Sequence, residues 1–152
     1  MATMSPVPVA AGPQSPRLRH VTDPQVSSSP LRVLVVDSDE RVRDSLAGLL
    51  CIGERCVVVG SAADADEALA IVGSSSPDVV IVDPRVAEPD GSRAFITRLR
   101  AADPAVRVVV MSSSSDAEAG ALAAGADAFI RKTYRARELI DAVLAAGRSP
   151  LS

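Results

Sequence analysis

At 152 residues the chain is long enough for one domain with one core, and its 47% hydrophobic content suits a globular protein. Aromatic residues make up only 2%, so that core has to be built from Val, Leu, Ile and Ala. A net charge of −3 without clustered Lys and Arg excludes a nucleic-acid footprint, and no apolar run reaches the ~18 residues of a membrane span or sits where a signal peptide would.

Residues 1–30 hold six of the eleven prolines (Pro6, Pro8, Pro13, Pro16, Pro24 and Pro30) and no hydrophobic periodicity. Such a segment buries too little surface to offset its ordering entropy, and a disordered arm is expected. The single histidine, His20, lies there, which removes histidine from any catalytic role in the folded part. Cys51 and Cys56 are spaced for neither a zinc site nor a redox pair, so two buried thiols in a reducing cytoplasm are expected.

From Leu31 strand and helix patterns alternate to the end of the chain. The first strand is predicted over Leu31–Val36 and closes on the acidic run Asp37-Ser38-Asp39-Glu40. A helix over Glu40–Cys51 carries Val42, Leu46, Leu49 and Leu50 on one face. A second strand over Cys56–Val59 precedes a helix over Asp64–Val72 that Gly73 is placed to end. The third strand, Asp78–Asp83, is β-branched almost throughout, as in a strand buried on both faces of a parallel sheet. A helix over Ser92–Arg100 burying Phe95, Ile96 and Leu99 comes next, then a strand over Val106–Met111 closed by a serine run. The fourth helix, Asp116–Ala124, is made of Ala and Gly around Leu122, and Gly120 marks it as the least stable. A strand over Ala128–Ile130 ends at Arg131-Lys132, and a helix over Ala136–Ala146 presents Leu139, Ile140, Val143 and Leu144. Residues 149–152 form a short tail.

Five such repeats over 31–148 predict one α/β domain, a five-stranded parallel doubly wound sheet (flavodoxin-like, order 2-1-3-4-5). That order places strands one and three side by side, and ligands in such sheets lie beyond the carboxyl ends of the strands at the reversal. Asp37 and Asp83 then meet at one crevice rim with Asp39 nearby, and a divalent cation is the usual relief for crowded carboxylates. An all-oxygen set favours magnesium or calcium. Strand four contributes Ser112 to the rim and strand five Lys132. A carboxylate nucleophile ringed by metal, hydroxyl and ammonium has what it needs to carry a phosphoryl group.

The segments VLVVDSDERVRDSL, PDVVIVDPRVAEPDG, VRVVVMSS and AGADAFIRK, in this order and spacing, resemble the receiver domain of bacterial two-component response regulators over Leu31 to Arg148. The resemblance implies Asp83 as phosphoacceptor and a Mg²⁺ held by Asp37, Asp83 and the backbone carbonyl of Arg85, with Asp39 as an additional candidate. It implies Ser112 and Lys132 as phosphoryl-binding residues, and Ser112 with Phe129 as the switch pair. The chain departs from the family at Ser38, where a second acid is usual, and at Val86 and Ala87, where the loop commonly has Met and Pro. Pro84 also removes a backbone donor beside the acceptor. These departures weaken the expected metal pocket.

A histidine kinase or phosphotransfer protein is the implied phosphodonor. The face of helix four, strand five and helix five is the expected contact for an unknown downstream protein or a second copy. With no segment after Ser152 for a DNA-binding helix-turn-helix, a stand-alone regulator acting by protein contact is expected unless the chain is a piece of a longer one. It is expected to be cytoplasmic, with no enzymatic turnover beyond its own aspartate. Two other readings remain open. One is an atypical receiver that scaffolds a partner without phosphorylation. The other is a haloacid-dehalogenase-type phosphatase with Asp37-Ser38-Asp39 as its nucleophile motif.

Overall fold

Successive residues of a strand point to opposite sides of a sheet, and here both sides are apolar. In β1 (Leu31–Val36), Val33 and Val35 face one core while Leu34 and Val36 face another. The same split holds in β3 (Val79–Val82), with Val79 and Ile81 opposite Val80 and Val82. β4 (Arg107–Ser112) repeats it through Val109 and Met111 against Val108 and Val110. Such a sheet must be covered twice. In the computed structural model, which describes residues 29–148, helices do so on both faces. The expected arm up to residue 28, His20 and the tail at 149–152 lie outside the described residues.

The sheet has five parallel strands in the order β2-β1-β3-β4-β5, with β2 at Cys56–Ala62 and β5 at Ala128–Arg131. Helices α1 (Glu40–Leu50) and α5 (Ala136–Arg148) close one side through Leu46, Leu50, Leu139 and Val143. Helices α2 (Ala65–Ser75), α3 (Ser92–Ala102) and α4 (Ala117–Ala123) close the other, through Ala68, Val72, Phe95, Ile96, Leu99 and Ala121. Leu34, Ile81, Leu99 and Leu139 are at most 1% exposed. Burying each stabilises the fold by roughly 1.5–3 kcal/mol. Among the described residues no helix is long and apolar enough to cross a membrane.

Several expected boundaries move for identifiable reasons. β2 runs on past Val59 to Ala62, because a register shift opposite Val33/Leu34 lets Gly60 and Ser61 keep pairing with β1. A side chain at Gly60 would meet Ile71 of α2 at 3.0 Å, so the missing Cβ lets helix and strand approach closely. Helix α2 continues through Gly73 and stops at Ser76, whose left-handed φ of 47° and N–H bond to the Val72 carbonyl form the cap. Of the two thiols only Cys56 is buried, and burial pushes its pKa up. Cys51 is exposed, because it falls at the C-cap of α1 and off its apolar stripe. In α4 the buried residue is Ala121, while Leu122, its one large apolar residue, is 45% exposed.

Candidate functional site

Backbone pairing at the strand ends builds the site before any side chain contributes. Val36 pairs with Val82, the Asp83 N–H donates to the Val36 carbonyl at 3.0 Å, and the Asp37 N–H donates to the Ala62 carbonyl at 3.0 Å. Asp37 and Asp83 therefore leave the sheet on adjacent strands at one level. On the far side the Lys132 N–H donates to the Ser112 carbonyl at 2.9 Å, which fixes the end of β5 against β4.

The side chains converge on these ends. Lys132 Nζ donates to Asp83 Oδ2 at 2.7 Å and to Asp37 Oδ2 at 3.0 Å. Asp37 and Asp83 are both buried, and the ammonium between them is 12% exposed. A shared cation is what permits two carboxylates to sit this close in a dry setting. Burial alone would push the Asp83 carboxyl up, but hydrogen bonds from Arg85 and Lys132 outweigh it and hold its pKa below the ordinary carboxylate value. For Lys132, burial pulls downward, and the bonds to Asp83 and Asp37 more than reverse it.

The loop after β3 supplies the second cation. Pro84 opens a single 3-10 turn over Pro84–Ala87, a position where the missing N–H costs no intrahelical bond. Asp83 caps that turn, its Oδ1 accepting from the Arg85 N–H at 2.8 Å. Val86 and Ala87, the residues standing where Met and Pro are common, bury into the core and anchor the turn. The turn swings the Arg85 side chain back over the carboxylate, with Nε on Oδ1 and Nη2 on Oδ2, both at 3.2 Å. Sequence reasoning singled out Arg85 only for its carbonyl, which here accepts from the Glu88 N–H at 3.3 Å. An arginine two residues after a strand-end acid, in a turn begun by proline, is the signal that would have found its side chain.

The other candidates take different places. Asp39 caps α1, its Oδ1 accepting from the Arg41 N–H at 2.9 Å, while its own N–H donates to Asp37 Oδ1 at 2.9 Å. Arg43, not singled out from sequence, reaches back from α1 to the Asp37 carbonyl at 2.6 Å. Ser38 is exposed beside them. Ser112 is half-buried, and its Oγ accepts from the Ser114 N–H at 3.2 Å. Phe129 is half-buried on β5, in register with Val110, and packs on the core shared by α2, α3 and α4.

The donors expected for a divalent cation, Asp37, Asp83 and the Arg85 carbonyl, are each engaged by protein groups. Among the described residues no group of three or more His, Cys, Asp or Glu side chains is placed to hold a metal. The two converging carboxylates are already paired with Lys132 and Arg85, and the third nearby acid serves a helix terminus. What the pocket offers is a buried carboxylate flanked by a primary ammonium and a guanidinium, with a hydroxyl at the neighbouring strand end.

Comparison with known proteins agrees with this architecture. The family model for the response regulator receiver domain matches residues 33–144. The DNA-binding transcriptional activator DevR/DosR of Mycobacterium tuberculosis is 36% identical over 126 residues, which cover 80% of this chain and 57% of that protein. The transcriptional regulatory protein LiaR of Bacillus subtilis is 33% identical, covering 78% of this chain and 56% of that one. The chain thus spans about half the length of the curated relatives it matches. Among solved structures, the receiver domain of NarL from M. tuberculosis superposes with a TM-score of 0.71 at 26% identity, over 80% of this chain and 99% of that one. The receiver domain of NtrX from Brucella abortus gives 0.67 at 29% identity, over 78% and 99%.

Proposed function

The chain belongs to the response regulator receiver family, and on that premise we propose that it accepts a phosphoryl group on Asp83 and answers by altering a protein-binding face. The observation that carries this reading is the seating of Asp83: a carboxylate 5% exposed, ionised by its partners, with Lys132 Nζ at 2.7 Å. A nucleophile held ionised at a strand tip is ready to attack without losing a proton first.

The donor is a phosphohistidine on a histidine kinase or phosphotransfer protein. An Asp83 carboxylate oxygen attacks phosphorus, the O–P bond forms as the P–N bond breaks, and the imidazole takes up a proton and leaves neutral. One negative charge on the carboxylate becomes nearly two on the phosphoryl group, so the pocket gains about one unit of negative charge. Lys132 follows the new oxygens, which loosens its bond to Asp37. The Ser112 hydroxyl turns from the Ser114 N–H toward a phosphoryl oxygen, and Phe129 on the adjacent strand repacks.

Helix α4 is suited to respond because it is short and lightly anchored. It has seven residues, and Ala121 is its buried contact. Leu122 on α4, at 45% exposure, and Tyr134 between β5 and α5, at 58%, leave large apolar side chains in solvent on the elements of the face formed by α4, β5 and α5. The downstream protein, or a second copy of this chain, docks there. A pocket charge that biases a marginal helix is a switch in the physical sense. Nothing supports the haloacid-dehalogenase reading of Asp37-Ser38-Asp39 over this one.

The test is amide NMR before and after treatment with phosphoramidate. Shifts at Ser112, Phe129 and along α4 are expected in wild type and absent in Asp83→Asn. An unchanged wild-type spectrum would instead favour a receiver that scaffolds its partner without phosphorylation.

A further inference from the structure

The pocket is electrically complete with protein groups alone. Asp37 and Asp83 carry two negative charges, and Lys132 and Arg85, both in direct contact with them, carry two positive ones. Widening the circle changes nothing, since Asp39 on one side is offset by Arg43 on the other. Ser38, exposed beside Asp37, adds no charge. A divalent cation entering this cluster would have to compete for the same carboxylate oxygens with two protein cations, Lys132 from within the pocket and Arg85 from its rim.

We propose that the guanidinium of Arg85 takes the place of a divalent cation here, neutralising Asp83 and then the phosphoryl group it carries, so that the site works without bound metal. The inference rests on the reading of Asp83 as phosphoacceptor. The geometry suits the role. Arg85 already meets both Asp83 oxygens with two nitrogens, and a planar fork of donors matches phosphoryl oxygens as well as it matches a carboxylate. Its side chain is 66% exposed, so it moves from carboxylate to phosphoryl oxygens without disturbing the core. Lys132, bonded to both acids before transfer, supplies the second charge.

Two measurements test this. In the first, Mn²⁺ is added to the labelled full chain, and paramagnetic broadening is read at the amides of Asp37, Asp83 and Arg85. Wild type should lose less than about half of its signal at equimolar Mn²⁺, whereas Ser38→Asp combined with Arg85→Ala should lose nearly all of it. Wild-type broadening as strong as that of the double variant would overturn the proposal whether or not Asp83 is ever phosphorylated. In the second, acetyl phosphate is supplied in EDTA and modification is read by intact mass. Wild type should be modified within about threefold of its extent with Mg²⁺, Arg85→Ala at least about tenfold less in EDTA, and Arg85→Lys in between. Modification that strictly requires Mg²⁺, or that is equal in wild type and Arg85→Ala, would overturn it. No modification under either condition would overturn the phosphoacceptor reading itself, and the Mn²⁺ result would then decide the metal question alone.

Discussion

Lys132 Nζ lies 2.7 Å from Asp83 Oδ2 across 49 positions of chain, and the same ammonium holds Asp37 at 3.0 Å. The contact exists because β3 and β5 flank β4 in a sheet whose strand ends are in register. Removing the ammonium as Lys132→Met leaves two buried carboxylates facing each other. Stability at neutral pH should fall by roughly 1–3 kcal/mol, and less in the Asp83→Asn background, where one of the charges is already gone. Urea melts of the four chains in that cycle measure it. Equal losses in both backgrounds would show that Lys132 acts through packing.

The pH dependence follows from the directions of two shifts. The Asp83 pKa is depressed in the fold, so its contribution to stability is present above the unfolded value of about 3.9 and is lost as pH falls through the folded value. The Lys132 pKa is raised, so its contribution is present below about 10.4 and is lost as pH rises through the folded value. Stability should therefore form a plateau across neutral pH that declines on both sides. Thermal melts should show the acid limb reduced in Asp83→Asn and the alkaline limb reduced in Lys132→Met.

Much of this was legible in the chain. The near-continuous apolar strands dictated two-sided burial, two-sided burial dictated the parallel doubly wound sheet, and its order brings Asp37, Asp83 and Lys132 together. What escaped reading depended on tertiary contact. Gly73 looks like a helix stop, yet α2 packs onward until Ser76 adopts the left-handed cap. Gly60 and Ser61 look like the end of a strand, yet a bulge keeps them paired. The fork of Arg85 on Asp83 requires the turn at Pro84–Ala87, which hydrophobic periodicity does not encode.

Helix α4 offers a test in the stabilising direction. A Cβ added at Gly120 meets nothing within 4 Å. Gly120→Ala should therefore raise stability by roughly 0.5–1 kcal/mol, with slower amide exchange concentrated in α4. If α4 is the responsive element, the same change should shrink the phosphoramidate-induced shifts along it.

Leu122 separates folding from contact. At 45% exposure on α4, Leu122→Ser should change stability by no more than about 0.5 kcal/mol, while weakening self-association or partner capture through the α4, β5 and α5 face. Sedimentation of the phosphodonor-treated chain reads the association. A large stability loss would place Leu122 in the core and remove it from that face.

Intact mass after acetyl phosphate treatment addresses the central claim most directly. Wild type should gain the mass of one phosphoryl group, and Asp83→Asn should gain none. A wild type that stays unmodified, or an Asp83→Asn chain modified to the same extent, would contradict it.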